Sequence, residues 1–353
     1  MGSQFSTSSH AGTADSRRAW RRPVFGSIDL GTNNCRMLVG TPAAQGFHVL
    51  DSFSRVVRLG EGLYETGRLS PLAMDRAIAS LNICADRVRR FAAGGNHGPL
   101  KLRAIATEAC RQAENGAEFI TRAREATGLP LEIINPREEA ELAMESCASL
   151  LSRDGRRALL FDIGGGSTEI AWVRINGCAP PELIGYVSLP VGVVTLSERS
   201  VSCCYSPAGF SRLVDDIAAM LHPFEAVHRI GEEIRRGGVL MIGTSGTVTT
   251  LAGVSLKLER YRRGLVDGIS LTRDAVDAAL TEARALGREG LSRHPCIGQE
   301  RVDFVLPGCA IFAAIHELWQ VPELVVADRG LREGMLMRLM RTVTPPKRNF
   351  LHA

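Results

Sequence analysis

The sequence predicts an α/β protein made of two related halves. Short apolar strands alternate with helix-period stretches along the body, which implies layered sheets covered by helices. A strand–Asp–x–Gly–turn–strand unit occurs twice, around Asp29 and around Asp162, aligned without a gap at an offset of 133 residues. Three glycine-rich turns each follow an apolar strand, at 31–34, 164–167 and 243–247. The 353 residues are enough for two cores.

Residues 1–22 are rich in Ser, Gly, Ala and Arg without periodicity, and read as a disordered basic tail. Residues 24–30 read as a strand, 31–34 as a turn and 35–40 as the returning strand. A helix is predicted over 71–93, where Met74, Ile78, Leu81, Ala85 and Val88 recur at helical spacing. Ser70-Pro71 starts it and Gly94-Gly95 stops it. Strands follow at 101–106 and 131–134, and Asn135-Pro136 opens a helix running to about 152. The second unit has strands at 159–163 and 168–175. A helix at 206–229, a strand at 238–242 leading into a further helix, a strand at 323–327 and a helix at 331–342 complete the pattern. The first half is read as 23–145 and the second as 146–330, with the C-terminal helix, 331–345, placed back against the first.

Composition excludes several function classes. With 45% hydrophobic and 23% charged residues, the body is not disordered, and no run of ~18 apolar residues offers a transmembrane helix. The net charge is +4, but Arg17, Arg18, Arg21 and Arg22 against Asp15 place +3 of it in the tail. A near-neutral body with 5% aromatics argues against a nucleic-acid surface. Neither a nucleic-acid nor a membrane partner is expected. Only Lys101, Lys257 and Lys347 are lysines; the arginines suit phosphate recognition, or reflect composition alone. Nine cysteines without a C-x-x-C pair, and no apolar leader, point to a reducing cytoplasm. Oligomeric state is left open, with a homodimer carried as one option.

Glycine lets backbone N–H groups converge on an anion without Cβ obstruction. Gly31, Thr32 and Asn33 in the first turn, Gly164, Gly165, Gly166 and Ser167 in the second, and Gly243, Ser245, Gly246 and Thr247 in the third form a candidate polyanion cradle. No P-loop or Rossmann fingerprint is present. Asp29 and Asp162 end equivalent strands and would face each other across a cleft. There they could hold Mg²⁺, or each could cap its own turn. Glu169, on the returning strand, is close enough to join through water. Asn135, Pro136 and Glu138 form a capping-box-like start, so Glu138 is assigned to the helix terminus. Glu139 has no such duty, and the helix N-terminus favours its carboxylate form, as suits a base that orients water; spacing alone favours a solvated first-turn Glu. Arg111 could clamp a phosphoryl group, or be ion-paired.

Together these segments resemble the Ppx/GppA phosphatase family of exopolyphosphatases and guanosine pentaphosphate phosphohydrolases. The matching stretches are SIDLGTNNCRMLV, AIATEACRQAENG, INPREEAELA, LLFDIGGGSTEIAWV, MIGTSGTVTTLAG, and LPGCAIFAAI followed by VADRGLREGML. The resemblance implies two ribonuclease-H-like domains of the actin-like ATPase superfamily flanking a cleft. It implies the catalytic base at Glu139, metal-associated carboxylates at Asp162 and Glu169, and the motif arginine at Arg111. Phosphate-loop roles fall on Asp29, Gly31 and Asn33 and on Gly164–Ser167. Asn34 stands where the family usually has Ser, and Asn135-Pro136 where it usually has Ser-Gly. The expected reaction is Mg²⁺-dependent hydrolysis of the terminal phosphoanhydride of inorganic polyphosphate. Guanosine pentaphosphate is the alternative substrate, and an actin-like kinase or a nucleotide-gated assembly protein the alternatives of another class. The end at Ala353 suggests the short two-domain form.

Overall fold

A computed structural model describes residues 22–44, 46–93, 98–151, 155–177 and 179–342. The basic tail up to residue 21 and the predicted stop at Gly94-Gly95 lie outside the described residues, as do positions 343–345 of the last helix.

The first sheet contains β1 (Val24–Leu30), β2 (Asn34–Pro42), β3 (Phe47–Val56), β4 (Leu100–Ala106) and β5 (Leu131–Ile133), in the order β3-β2-β1-β4-β5. Strands β1 to β3 are antiparallel, while β4 and β5 continue parallel to β1. The second sheet contains β6 (Arg157–Ile163), β7 (Thr168–Arg174), β8 (Glu182–Leu189), β9 (Val239–Thr244), β10 (Ser270–Thr272) and β11 (Glu323–Ala327). Its order is β10-β11-β9-β6-β7-β8, again with an antiparallel meander, β6 to β8, followed by parallel β9 and β11. The two sheets therefore share one ribonuclease-H-like topology, with β10 added at an edge. The sequence offset carries β1 onto β6 end to end. Asp29 pairs with Arg36 in the first sheet, and Asp162 with Glu169 at the same place in the second.

Two helices join the sheets. Pro136–Ser146 packs on β7 and β8 and against Leu331–Arg341, which in turn lies on β1 and β2. Their close approach depends on Gly334, where a Cβ would sit 2.1 Å from the Leu142 carbonyl oxygen. Leu336 and Met340 then fill a small core with Phe25 and Leu38.

The strands and helices around the repeated unit fall where their patterning predicts, with Pro71–Ala93 and Glu323–Ala327 matching at both ends. Two ends differ. The helix from Pro136 stops at Ser146, not near 152, because the chain tightens into a 3₁₀ turn at Ala148–Leu150 that tucks Leu150 and Leu151 against the core. The third glycine turn is shorter than 243–247, since Gly243 and Thr244 belong to β9. The helix Val302–Leu318 has no readable period because it is buried on nearly every side.

Candidate active site

A cleft of about 190 Å³ opens between the sheets, where the turns after β1, β6 and β9 converge. The first two turns touch. A Cβ on Gly165 would lie 3.1 Å from Thr32 Cβ, and one on Gly166 2.6 Å from Thr32 Oγ1, so only glycine permits this approach. Gly31, Thr32, Asn33, Gly164, Gly165, Gly166, Ser167, Ser245, Gly246 and Thr247 all line the cleft, as do Asp29, Asp162, Glu169 and Glu139. Gly243 does not. It sits inside β9 against Phe161, whose ring would be 2.5 Å from an added Cβ, so its glycine serves sheet packing. Ser167 lines the cleft but donates its hydroxyl proton to Glu169 Oε1 at 2.6 Å. Ser245 is held at φ 134°, a region glycine normally occupies, at the N-cap of the helix Gly246–Ser255.

Glu139 enters from the first turn of its helix. Asn135 caps that helix by accepting the Glu138 N–H at 2.9 Å. The predicted return bond from the Glu138 carboxylate is absent among the described residues. Glu138 instead pairs with Arg103 at 2.7 Å and Arg338 at 3.1 Å, because the neighbouring strand and the last helix place guanidinium groups beside it. Glu139 points inward. Its Oε2 accepts from Arg111 Nη1 at 2.7 Å, and its Oε1 has no protein partner among the described residues. Arg111 also donates to Glu108 Oε2 from Nε and Nη2 at 3.0 and 2.6 Å, and to the Ile134 carbonyl at 2.9 Å. Arg111 thus has these donors engaged by protein acceptors and does not line the cleft, and it stands behind Glu139.

Burial, not the helix terminus, dominates the electrostatics. Desolvation pushes Glu139 well above the ordinary carboxylate range, Glu169 adds repulsion, and Arg111 opposes both. Desolvation carries Asp162 up to about 7, helped by Glu139 and opposed by Arg36. It carries Glu169 to about 7 against the hydrogen bonds from Ser167 and Ser188. Asp29 is also raised, chiefly by burial, although Arg36 and Arg332 counter it. The helix N-terminus favours the Glu139 carboxylate, and burial with Glu169 beside it pushes the other way.

A stability consequence follows from linkage. These folded pKa values exceed the unfolded ones, so the folded chain binds more protons between about pH 4.5 and 7. Their contribution is complete below the unfolded values and is lost as pH rises through the folded values. Thermal unfolding in chelator should show Tm falling across this window, with a flatter profile for Glu169→Gln. Identical profiles would mean that Glu169 does not titrate there.

Arg36, Glu108, Arg301 and Arg329 also line the cleft and were not named as site residues from the sequence. The signal for Arg36 was available, since it occupies in the first unit the place of Glu169 in the second. Arg329 was hidden because its position depends on Asp267, which accepts from its Nε at 3.1 Å, and on Ser149. Several surface arginines away from the cleft are ion-paired: Arg87 and Arg89 with Asp51 and Asp86, and Arg263 near Asp328 and Glu333.

Solved structures share the fold. An exopolyphosphatase-like protein is 26% identical, with a TM-score of 0.80 over 91% of this chain and 99% of its own. The Ppx/GppA phosphatase of Aquifex aeolicus, type II variant, is 26% identical with a TM-score of 0.67 over 90% of this chain and 99% of its own. An exopolyphosphatase of Cytophaga hutchinsonii shares the fold at 22% identity, with a TM-score of 0.76 over 91% of this chain and 99% of its own. The sequence profile of the Ppx/GppA phosphatase family matches residues 38–343, a span that runs through both sheets and the helix carrying Glu139. On that match the chain belongs to the Ppx/GppA phosphatase family.

Proposed function

We propose that this chain is an exopolyphosphatase that hydrolyses the terminal phosphoanhydride of inorganic polyphosphate. The observation that carries the reading is Glu139, a buried carboxylate with one oxygen fixed by Arg111 and the other free at the cleft wall. A water hydrogen-bonded to Oε1 is oriented for in-line attack on the terminal phosphorus. The new P–O bond forms as the bridging P–O bond breaks, the bridging oxygen departs with the chain one phosphate shorter, the attacked phosphorus becomes orthophosphate, and the water proton passes to Glu139. The glycine turns present N–H groups to the phosphates, and Arg36 supplies in the same cleft a guanidinium without an ion pair among the described residues.

The donor set fits Mg²⁺. Asp29 Oδ1 is buried without a hydrogen-bond partner, and Asp162 is held close beside the cleft glycines. No cluster of three or more His, Cys, Asp or Glu among the described residues cages a metal, which suits an ion that keeps waters and shares phosphate oxygens. Asp162 and Asp29 would hold it, with Glu169 acting through water. Bound there, Mg²⁺ supplies neutralisation of phosphate charge.

Asp162→Asn should weaken Mg²⁺ dependence more than Asp29→Asn, on the order of tenfold. Asp162 pairs in register with a second carboxylate, Asp29 with Arg36. A Mg²⁺ titration of activity checks this, and equal shifts would mean symmetric sharing. The reading itself is tested by phosphate release from long-chain polyphosphate and from guanosine pentaphosphate, side by side, with no added nucleotide. Faster release from polyphosphate is expected. Release from the nucleotide alone would reassign the substrate, and release from neither would reject hydrolysis of both.

A further inference from the structure

Next to the cleft runs a second, open groove. Asn33, Asn34 and Arg301 line both, so the two are continuous. The groove's outer wall is Ser54 and Arg55 from the end of β3, facing Glu300 and Arg301 from the turn Gln299–Arg301. It therefore lies between the halves, like the cleft, but outside the shell of Asp29, Glu139, Asp162 and Glu169.

Arg55 is the informative residue. Its guanidinium lies over the Phe53 ring, 5.5 Å from the centroid, and makes no ion pair or hydrogen bond among the described residues. Stacking fixes the plane of a guanidinium while leaving its N–H edge available. Arg301 is likewise exposed and without an ion pair among the described residues. Val56 is the single apolar side chain of the wall, and no aromatic ring faces the groove for a base to stack on. Such a surface suits a hydrated oligoanion and offers little to a nucleoside.

We propose that this groove is a distal phosphate subsite, in which Arg55 binds phosphates of the substrate chain beyond those held in the cleft. The inference rests on the polyphosphate reading above. Phosphates bound there contribute affinity without taking part in bond cleavage, so their effect appears in KM. Glu300 sets a limit, since its carboxylate faces the same anion.

The test pairs two exposed substitutions of opposite sign, Arg55→Gln and Glu300→Gln. Each is assayed for phosphate release from tripolyphosphate and from long-chain polyphosphate. For the long chain, Arg55→Gln should raise KM roughly five- to tenfold at unchanged kcat, the size of one charge-assisted contact. Glu300→Gln should lower it about two- to threefold, and both shifts should shrink with salt. Tripolyphosphate, held within the cleft, should be unaffected by Arg55→Gln. Equal KM changes for the two lengths, or none, would overturn the subsite. So would a long-chain KM raised by the double variant Arg262→Gln/Arg263→Gln but not by Arg55→Gln, which would place the chain outside the groove. Binding of fluorescent long-chain polyphosphate to the wild-type and Arg55→Gln proteins separates this inference from the parent reading. If neither releases phosphate, the hydrolase reading fails. Equal binding of the probe to both proteins would overturn the groove by itself.

Discussion

Glu139→Gln is expected to reduce turnover by roughly 10²- to 10⁴-fold while leaving substrate affinity within a few-fold, since a positioned general base acts on the chemical step. Glutamine keeps the shape and can still accept from Arg111 Nη1, so the fold should survive. The adjacent Glu138→Gln should keep near wild-type turnover. It breaks pairs to Arg103 and Arg338 that are about three-quarters shielded from solvent, at a cost of about 1 kcal/mol. Turnover and urea unfolding of the two variants give the comparison. Loss of turnover in Glu138→Gln with retention in Glu139→Gln would reverse the assignment.

Arg111→Met should cost both stability and activity. The side chains of Arg111, Glu108 and Glu139 are 13%, 10% and 9% exposed, so removing the guanidinium leaves two carboxylates buried without their partner. Breaking a buried pair in this way costs about 3–5 kcal/mol, less whatever the carboxylates recover by taking up protons. Arg111→Lys should recover only part, because an ammonium is a point charge and cannot fork between Glu108 and Glu139. A substrate clamp and a positioning residue differ in readout. Loss of a clamp raises KM at unchanged unfolding midpoint. Loss of a positioning residue lowers the midpoint and kcat, and shifts the pH profile as Glu139 becomes easier to protonate. A midpoint unchanged in Arg111→Met would show that the guanidinium does not support the carboxylates.

Much of this was legible in one sequence because duplication prints the same frame twice. The Asp29 and Asp162 units fix two strands, a turn and a return in each half, and their spacing carried onto the sheets without adjustment. Glu139 stood out through the match of INPREEAELA to the family motif, since its spacing alone fits a solvated first-turn Glu. What the sequence hides is long-range. Glu138 meets Arg338 across 200 residues of chain, and no local pattern distinguishes that pair from a capping box. Gly243 and Gly246 look alike in a glycine-rich turn, yet one packs on Phe161 and the other borders the cleft. The helix Val302–Leu318 carries no amphipathic signal because it has no wet side.

The unequal partners of the two repeated aspartates give the cleft a direction. One wall carries Asp29 with the guanidinium-bearing Arg36 opposite it in register; the other carries Asp162–Glu169, with Glu139 beside them. A phosphate chain running through from side to side would have to lay negative charge along that second wall, where Arg111 is already occupied by protein carboxylates. A chain that stops at the wall avoids the repulsion, and only its last phosphorus comes within reach of Glu139. Cutting from the end inward is then a property inherited from gene duplication. At one matched position of the two strand pairs stands an arginine, Arg36, and at the other a glutamate, Glu169, and that difference closes one end of the gap.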